Sequence, residues 1–262
     1  MTTDTIKKDL VTKVPQVTLL FWVLKIFATT LGEIGADAIS MGGDSEDQTS
    51  KGVGYLVSIA ILAAPFIIAV VAQILAKKFH PLIYWATIVA ATLLGTSLAD
   101  YADRSLHIGY PGGASVLLGL LVASLVAWHF TLGSISIRTV STPKVEVFYW
   151  VTIMFSQTLG TALGDWTADS LDFGYAFSAV IFGGLLAVVA ALYFWTRANR
   201  TALFWTAFVL TRPLGAVVGD LLDKPHDEGG LALSRYAATA VLVVLMLLGL
   251  FLFKHKPAEA GH

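Results

Sequence analysis

Long apolar runs separated by short polar breaks set the layout of this chain. Runs of about 20 residues with few charges are long enough to cross a bilayer as helices. They recur near 16–39, 53–76, 82–103, 113–132, 146–168, 174–196, 201–222 and 233–253. The pattern predicts an all-α integral membrane protein with eight transmembrane helices in a single transmembrane domain over 1–262. The first dozen residues are polar, with Asp4, Lys7, Lys8 and Asp9, and the first apolar run has full length. A cleaved signal peptide is therefore not expected.

Within these runs one phrase occurs four times: an aromatic-Trp pair, nine residues, a glycine, four residues and an aspartate. It reads Phe21-Trp22 to Gly32 to Asp37, Tyr84-Trp85 to Gly95 to Asp100, Tyr149-Trp150 to Gly160 to Asp165, and Phe204-Trp205 to Gly215 to Asp220. The tryptophans are 63, 65 and 55 residues apart, and a plainer apolar run follows each motif run. The unit is thus a helical hairpin, with repeats at about 14–77, 78–138, 143–199 and 200–256. An even number of spans per unit makes all four motif helices parallel, which predicts pseudo-symmetry about the membrane normal. The aromatic-Trp pairs are expected in the interfacial belt. At 1.5 Å per residue each aspartate then lies roughly 22 Å further along, in the opposite half of the bilayer.

Residues +7, +11 and +15 after each Trp share one helix face. They read Thr29, Glu33, Asp37; Thr92, Thr96, Asp100; Gln157, Thr161, Asp165; and Arg212, Ala216, Asp220. Positions +10 and +14 are Gly or Ala throughout, a small-xxx-small stripe that permits close helix approach in lipid. The stripe predicts that the four helices crowd together where the acids lie.

Composition supports the membrane class: 56% of residues are hydrophobic and only 13% charged, with mean hydropathy +0.75. Cysteine is absent, which excludes disulfides and thiolate metal sites. Lys7, Lys8, Lys13, Lys77, Lys78, Arg138, Lys144, Arg197, Arg200, Lys254 and Lys256 fall on the side of both termini, 11 of the 17 Lys and Arg. By the positive-inside rule that side is cytoplasmic, so the expected location is a bacterial inner membrane with both termini inside. The opposite loops carry Asp44, Glu46, Asp47, Asp103, Asp169, Asp172, Asp223, Asp227 and Glu228. An acidic outer face would concentrate cations, although simple solvation of loops explains the same charges.

An ionisable residue inside an apolar span is costly and is a functional-site hypothesis by default. The candidate cation- and proton-binding set is Glu33, Asp37, Asp100, Asp165 and Asp220, with Thr96, Thr161 and Gln157 as oxygen donors. An all-oxygen set suits manganese, magnesium or calcium, and the five carboxylates are the metal candidates. None of the six histidines has a motif spacing. Arg212 is a candidate counter-ion or gate, followed by Pro213, which is expected to weaken its helix. Lys25 at +3 is a second gate candidate, close enough to the interface to snorkel. Competing structural readings are that the aspartates cap a following element or lock the repeats by hydrogen bonds. Aspartate at a helix C-terminus opposes the macrodipole, so helix termination alone does not account for four copies.

The segments KVPQVTLLFW, ATTLGEIGAD, YWATIVAATLLGTSLAD, FYWVTIMFSQTLGTALGD and FWTAFVLTRPLGAVVGD resemble a bacterial family of uncharacterised membrane-anchored proteins built from four copies of a membrane repeat of unknown function. The resemblance covers nearly the whole chain and implies no assigned activity. The small-residue-plus-acid motif is also similar in pattern to those of manganese exporters, without the Glu-x-Gly-Asp-Lys/Arg signature of one such family. The resulting expectation is a proton-coupled transporter, an exporter of a hard divalent cation such as manganese. A cation channel, a structural lock and a catalytic metal site are the alternatives. No enzymatic activity, tightly bound cofactor or nucleic-acid partner is expected; the partners are the lipid bilayer, inorganic cations and protons, and self-association into a homo-oligomer is compatible with this reading. A retinal-type photoreceptor is disfavoured because the chain lacks a lysine deep in a late span, and an anion transporter because acids outnumber Lys25 and Arg212 on the ladder.

Overall fold

The computed structural model describes residues 12–42, 52–105 and 109–258. Lys7, Lys8, Asp44, Glu46 and Asp47, assigned above to one face or the other, lie outside the described residues, as do His107 and His262. Among the described residues there are eight long helices: α1 (Leu19–Ser40), α2 (Tyr55–Leu75), α3 (Pro81–Asp100), α4 (Tyr110–Leu132), α5 (Pro143–Asp165), α6 (Gly174–Trp195), α7 (Arg200–Asp223) and α8 (Arg235–Leu252). Their starts follow local chemistry. Thr18 caps α1 by accepting from the Phe21 amide, Asn199 caps α7 at the Thr201 and Ala202 amides, and proline occupies the first turn of α3, α4 and α5. These are the positions where an orphan amide needs an acceptor or where a missing N–H does no harm.

Seven of the eight helices are long and apolar enough to cross a membrane, which makes this a multipass membrane protein. The exception by composition is α5, which spends Glu146, Ser156, Gln157, Thr158 and Thr161 on its buried face. Pro213 does not interrupt its helix: α7 runs unbroken through it, because neighbouring helices re-satisfy a freed backbone group in such bundles. Nor do the repeated aspartates simply terminate helices. α1 and α7 continue past Asp37 and Asp220, and Asp100 and Asp165 each lead directly into a π-helical turn, Tyr101–Ser105 and Trp166–Ser170.

The four motif helices form a closed inner ring, α1 against α3, α3 against α5, α5 against α7 and α7 back against α1. The plainer helices form an outer shell. Each packs chiefly on the motif helix that follows it in sequence: α2 on α3, α4 on α5, α6 on α7, and α8 on α1. The sequence hairpin is thus not the packing unit; each repeat is completed by the next, and the last helix closes the circle on the first. The difference is visible in burial, about two thirds of the hydrophobic window in α1 (67%) against 11% in α2 and 17% in α8.

Glycine sets the ring spacing. A Cβ added at Gly32, Gly95, Gly160 or Gly215 would come within 3.0 Å of Thr92, Gln157, Arg212 or Thr29 respectively. In every case the +10 glycine of one repeat receives the +7 residue of the next. Gly164 and Gly219, at +14, likewise face Ala216 and Glu33, at +11. The offset keeps its sign along the helices, so neighbouring motif helices run parallel.

At the end where the motifs begin, the two tails pair. Gln16 N–H donates to Lys256 O and Ala258 N–H to Val14 O, each at 2.8 Å, around an antiparallel bridge between Pro15 and Pro257. Lys13 is buried there, 2.6 Å from Glu146 Oε1, and its ammonium also donates to the Gln73 and Ile74 carbonyls at the end of α2. One strap thereby ties α2, α5 and the C-terminal tail together.

The ring spacing makes a direct prediction. Gly160→Ala and Gly215→Ala are expected to destabilise the detergent-solubilised protein by about 1–3 kcal/mol through overpacking. Gly119→Ala and Gly183→Ala, where a Cβ meets nothing within 4 Å, should leave the thermal midpoint unchanged or raise it.

Candidate functional site: a layered axis of aromatic, basic and acidic groups

Equivalent positions of the four motif helices form layers along the ring, and the layers follow at four-residue steps. The first holds the aromatic pairs. Phe21 stacks on Trp85 at 5.4 Å, Tyr84 on Trp150 at 5.8 Å, Tyr149 on Trp205 at 6.2 Å and Phe204 on Trp22 at 5.9 Å between centroids. The first aromatic of each repeat thus meets the Trp of the next, and the set closes on itself. Tyr84 and Tyr149 share a 2.7 Å hydroxyl hydrogen bond. Phe21, Tyr84, Trp85, Tyr149, Trp150 and Trp205 are all buried. The pairs are therefore an internal aromatic closure and not the lipid-facing belt expected from the sequence, because rings packed on one another at tilted and edge-on angles gain more than rings laid singly against headgroups.

The next layer, at +3, contains Lys25, Ile88, Ile153 and Phe208, all fully buried. Lys25 does not snorkel. Its Nζ lies 4.2 Å from the centroid of the Phe208 ring, since its stem starts on the axis side of α1 and points into the bundle, away from the lipid boundary.

Arg212 organises the layers at +7 and +11. It is completely buried. Its Nη2 donates to Glu33 Oε2 at 2.9 Å and also to Thr96 Oγ1 and Thr161 Oγ1, while Nη1 donates to Thr29 O at 3.3 Å. Three of the four +11 residues, from three different helices, therefore converge on one guanidinium. The fourth is Ala216, on the arginine's own helix, where a methyl leaves the centre open for the Arg212 head. A charge buried at this depth is tolerated only when paired and fully hydrogen-bonded, and this arrangement meets most of that demand. Thr29 and Thr92 turn their hydroxyls to backbone carbonyls, Thr211 O and Ala28 O among them. Gln157, expected as an oxygen donor, is buried in its layer without a hydrogen-bond partner for either amide atom.

Beyond Arg212 lies the acidic layer. Asp37, Asp100, Asp165 and Asp220 are all buried. Carboxylate oxygens of Glu33, Asp165 and Asp220 lie within 4.8 Å of one another, and so do those of Asp37, Asp220 and Asp223. Asp220 belongs to both groups, which makes it the centre of the layer. Asp100, although equally buried, belongs to neither triad among the described residues.

Four participants, Lys224, Asp223, Arg235 and Asp103, are not singled out by the motif. Lys224 is buried and bridges two repeats, with Nζ bonded to Asp37 Oδ2 and 3.2 Å from Asp220 Oδ1. Asp223, read from sequence as a solvated loop acid, is fully buried and holds Arg235, whose Nη1 also donates to Gly42 O at 3.1 Å. Asp103 is buried as well. The i,i+4 spacing from Asp220 to Lys224 was the available signal for the first; Arg235, the first residue of α8 and 12 residues after Asp223, has no motif spacing. Asp169, Asp172, Asp227 and Glu228 are exposed, as the loop assignment expects.

Four successive copies of one family model, the Repeat of Unknown Function (DUF347), match residues 20–79, 83–134, 148–199 and 203–256. The chain belongs to the DUF347 family. Each DUF347 copy begins one residue before its aromatic-Trp pair, so the family repeat is in register with the layers of the axis. No curated protein and no solved structure matches the chain.

The knot around Arg212 generates a stability prediction. Arg212→Ala strands a buried carboxylate, two hydroxyl contacts and a backbone carbonyl, and is expected to cost about 3–5 kcal/mol or to abolish folding. The paired change Arg212→Met with Glu33→Leu removes both charges and should recover a large part of that loss. Thermal unfolding of the solubilised single and double variants reads the difference.

Proposed function

We propose that this protein is a proton-coupled transporter of a hard divalent cation such as manganese, with the carboxylates of Glu33, Asp165 and Asp220 as its central site. In this reading all eight helices cross the membrane, the axis of the ring lies along the membrane normal, and the aromatic end with both tails faces the cytoplasm of an inner membrane. The observation that carries it is the approach of three buried carboxylates, from three motif helices, to within 4.8 Å of one another. Like charges so close in a poorly solvated site are stable only with a cation or a proton among them. Oxygen ligands of this kind favour manganese, magnesium or calcium. Export with protons as counter-ion is the mode in which carboxylates that exchange a metal for protons do useful work.

Arg212 and Lys224 supply a release mechanism. A divalent ion entering the acidic layer competes with two tethered cations already bonded to Glu33, Asp37 and Asp220, which keeps the site from trapping its cargo. The aromatic closure at the cytoplasmic end would have to part for alternating access, and the Tyr84–Tyr149 bond is its polar seam. The dense bonding around Arg212 also favours a second reading, in which the acids and bases are a structural lock between repeats.

Two measurements separate these readings. Cells lacking the gene are expected to accumulate manganese and to grow poorly under manganese stress, and Asp220→Asn, expressed at wild-type level, is expected not to restore them. Unchanged metal content without the gene removes the transporter reading, and loss of the folded protein in every aspartate variant supports the lock. In purified protein, Lys224→Met removes the tethered competitor. Manganese should then raise the thermal midpoint at lower concentration than in the wild type, through preferential binding to the native state.

A further inference from the structure

At the end of the bundle where the motif helices begin, the paired tails leave an open cleft that the acid chemistry does not use. Gln16 and Thr18 line it from the N-terminal tail, Lys254, His255 and Lys256 from the C-terminal tail, and Trp85 from α3. The two tails are held in register: Gln16 N–H donates to Lys256 O at 2.8 Å. His255 Nε2 lies 3.2 Å from Gly249 O, which ties the C-terminal tail back to α8. The two lysines therefore sit on a braced backbone.

Lys254 and Lys256 make the cleft basic, and among the described residues no acid lines it. Glu146, at the same end, is already held by Lys13 at 2.6 Å. Trp85 adds an unmet donor. It is 1% exposed and its indole N–H has no acceptor. Two repeats further round the ring, Trp205 has the same motif position, and its N–H donates at 3.0 Å to the carbonyl of Ile135, three residues past the end of α4. The residue three past the end of α8 is His255, which lines the cleft, yet no carbonyl there satisfies Trp85. A buried donor left open beside two cations calls for an anionic acceptor.

Position selects the kind of anion. The cleft lies where α1 and α3 start and α8 ends, all three long and apolar enough to cross a membrane. That is the level of the lipid headgroups. Leu19, between two lining residues, and Phe251 and Leu252, just before Lys254, are exposed apolar side chains. The cleft measures about 290 Å³ with its open mouth included, near the lower limit of small-molecule sites, about 300 Å³. It has room for a headgroup, and the exposed apolar side chains offer acyl chains a surface outside it.

We propose that this cleft binds the phosphodiester headgroup of an anionic membrane phospholipid, with Lys254 and Lys256 on the phosphate and a phosphate oxygen as the acceptor that Trp85 lacks. The lipid would fasten the two tails against α3 at the aromatic end of the ring. The site does not depend on what the acidic layer carries.

The test titrates the purified full-length protein, in uncharged detergent, with phosphatidylglycerol, phosphatidylcholine or inorganic phosphate at constant ionic strength. Phosphatidylglycerol should raise the thermal midpoint along a saturable curve, and native mass spectrometry should find it retained in preference to phosphatidylcholine. Inorganic phosphate should not displace it. Lys254→Gln together with Lys256→Gln should weaken phosphatidylglycerol binding about 30-fold, about 5-fold for each lysine near an anionic surface. Trp85→Phe, which keeps a ring and loses the N–H, should weaken it by about 10-fold. Lys77→Gln together with Lys78→Gln removes two exposed lysines outside the cleft and should leave binding as in the wild type. Equal affinity for phosphatidylglycerol and phosphatidylcholine, displacement by inorganic phosphate, or an equal loss in both lysine pairs overturns the proposal. So does wild-type affinity in the Lys254, Lys256 pair or in Trp85→Phe; if Trp85→Phe does not fold, the two lysine pairs decide alone.

Discussion

The contact on which this structure depends is the seating of one helix's +7 side chain over the next helix's +10 glycine. It occurs four times and closes on itself, Gly32 with Thr92, Gly95 with Gln157, Gly160 with Arg212 and Gly215 with Thr29. In lipid no hydrophobic force drives helices together, so close backbone approach at small residues has to supply the packing energy. The approach also brings the ladder residues of four helices within reach of one another. Without it the polar side chains would point at apolar neighbours with no partner to meet.

Once the ring is closed, the four repeats no longer need to be equivalent, and the chemistry comes from their differences. Arg212 stands where the other repeats have Thr or Gln, and its own helix has Ala216 where the others have Glu33, Thr96 and Thr161. The large basic residue and the small gap belong to the same helix one turn apart, so the guanidinium fills the space that its own +11 position vacates. Lys25 departs from the Ile and Phe of its layer in the same manner. Broken symmetry thus produces a basic middle between an aromatic end and an acidic end.

The acidic end is held by cations from outside the motif, Lys224 and Arg235. Their pairing with Asp37, Asp220 and Asp223 offsets the repulsion that three or four close carboxylates would otherwise generate. The lipid-facing shell, by contrast, carries little polar chemistry: exposed Ile67, Ile68, Val180, Leu248 and their neighbours present the apolar surface that a bilayer requires.

By itself the sequence determined the number and extent of the helices, the phase of the four repeats, the stripe of small residues and the face that carries the acids. Each is a property of a single helix, set by hydropathy over about 20 residues and by the 3.6-residue turn. Only the tertiary structure decided that each outer helix completes the following repeat, that the Trp pairs stack inward, that Lys25 is buried over Phe208, and that Lys224 meets Asp37. Those outcomes depend on contacts between segments far apart in the chain, where neither periodicity nor spacing carries information about the partner. Arg212 lay between the two cases: its place on the ladder was legible, but its partners, Glu33, Thr96, Thr161 and the Thr29 carbonyl, came from three helices that only ring closure brings together.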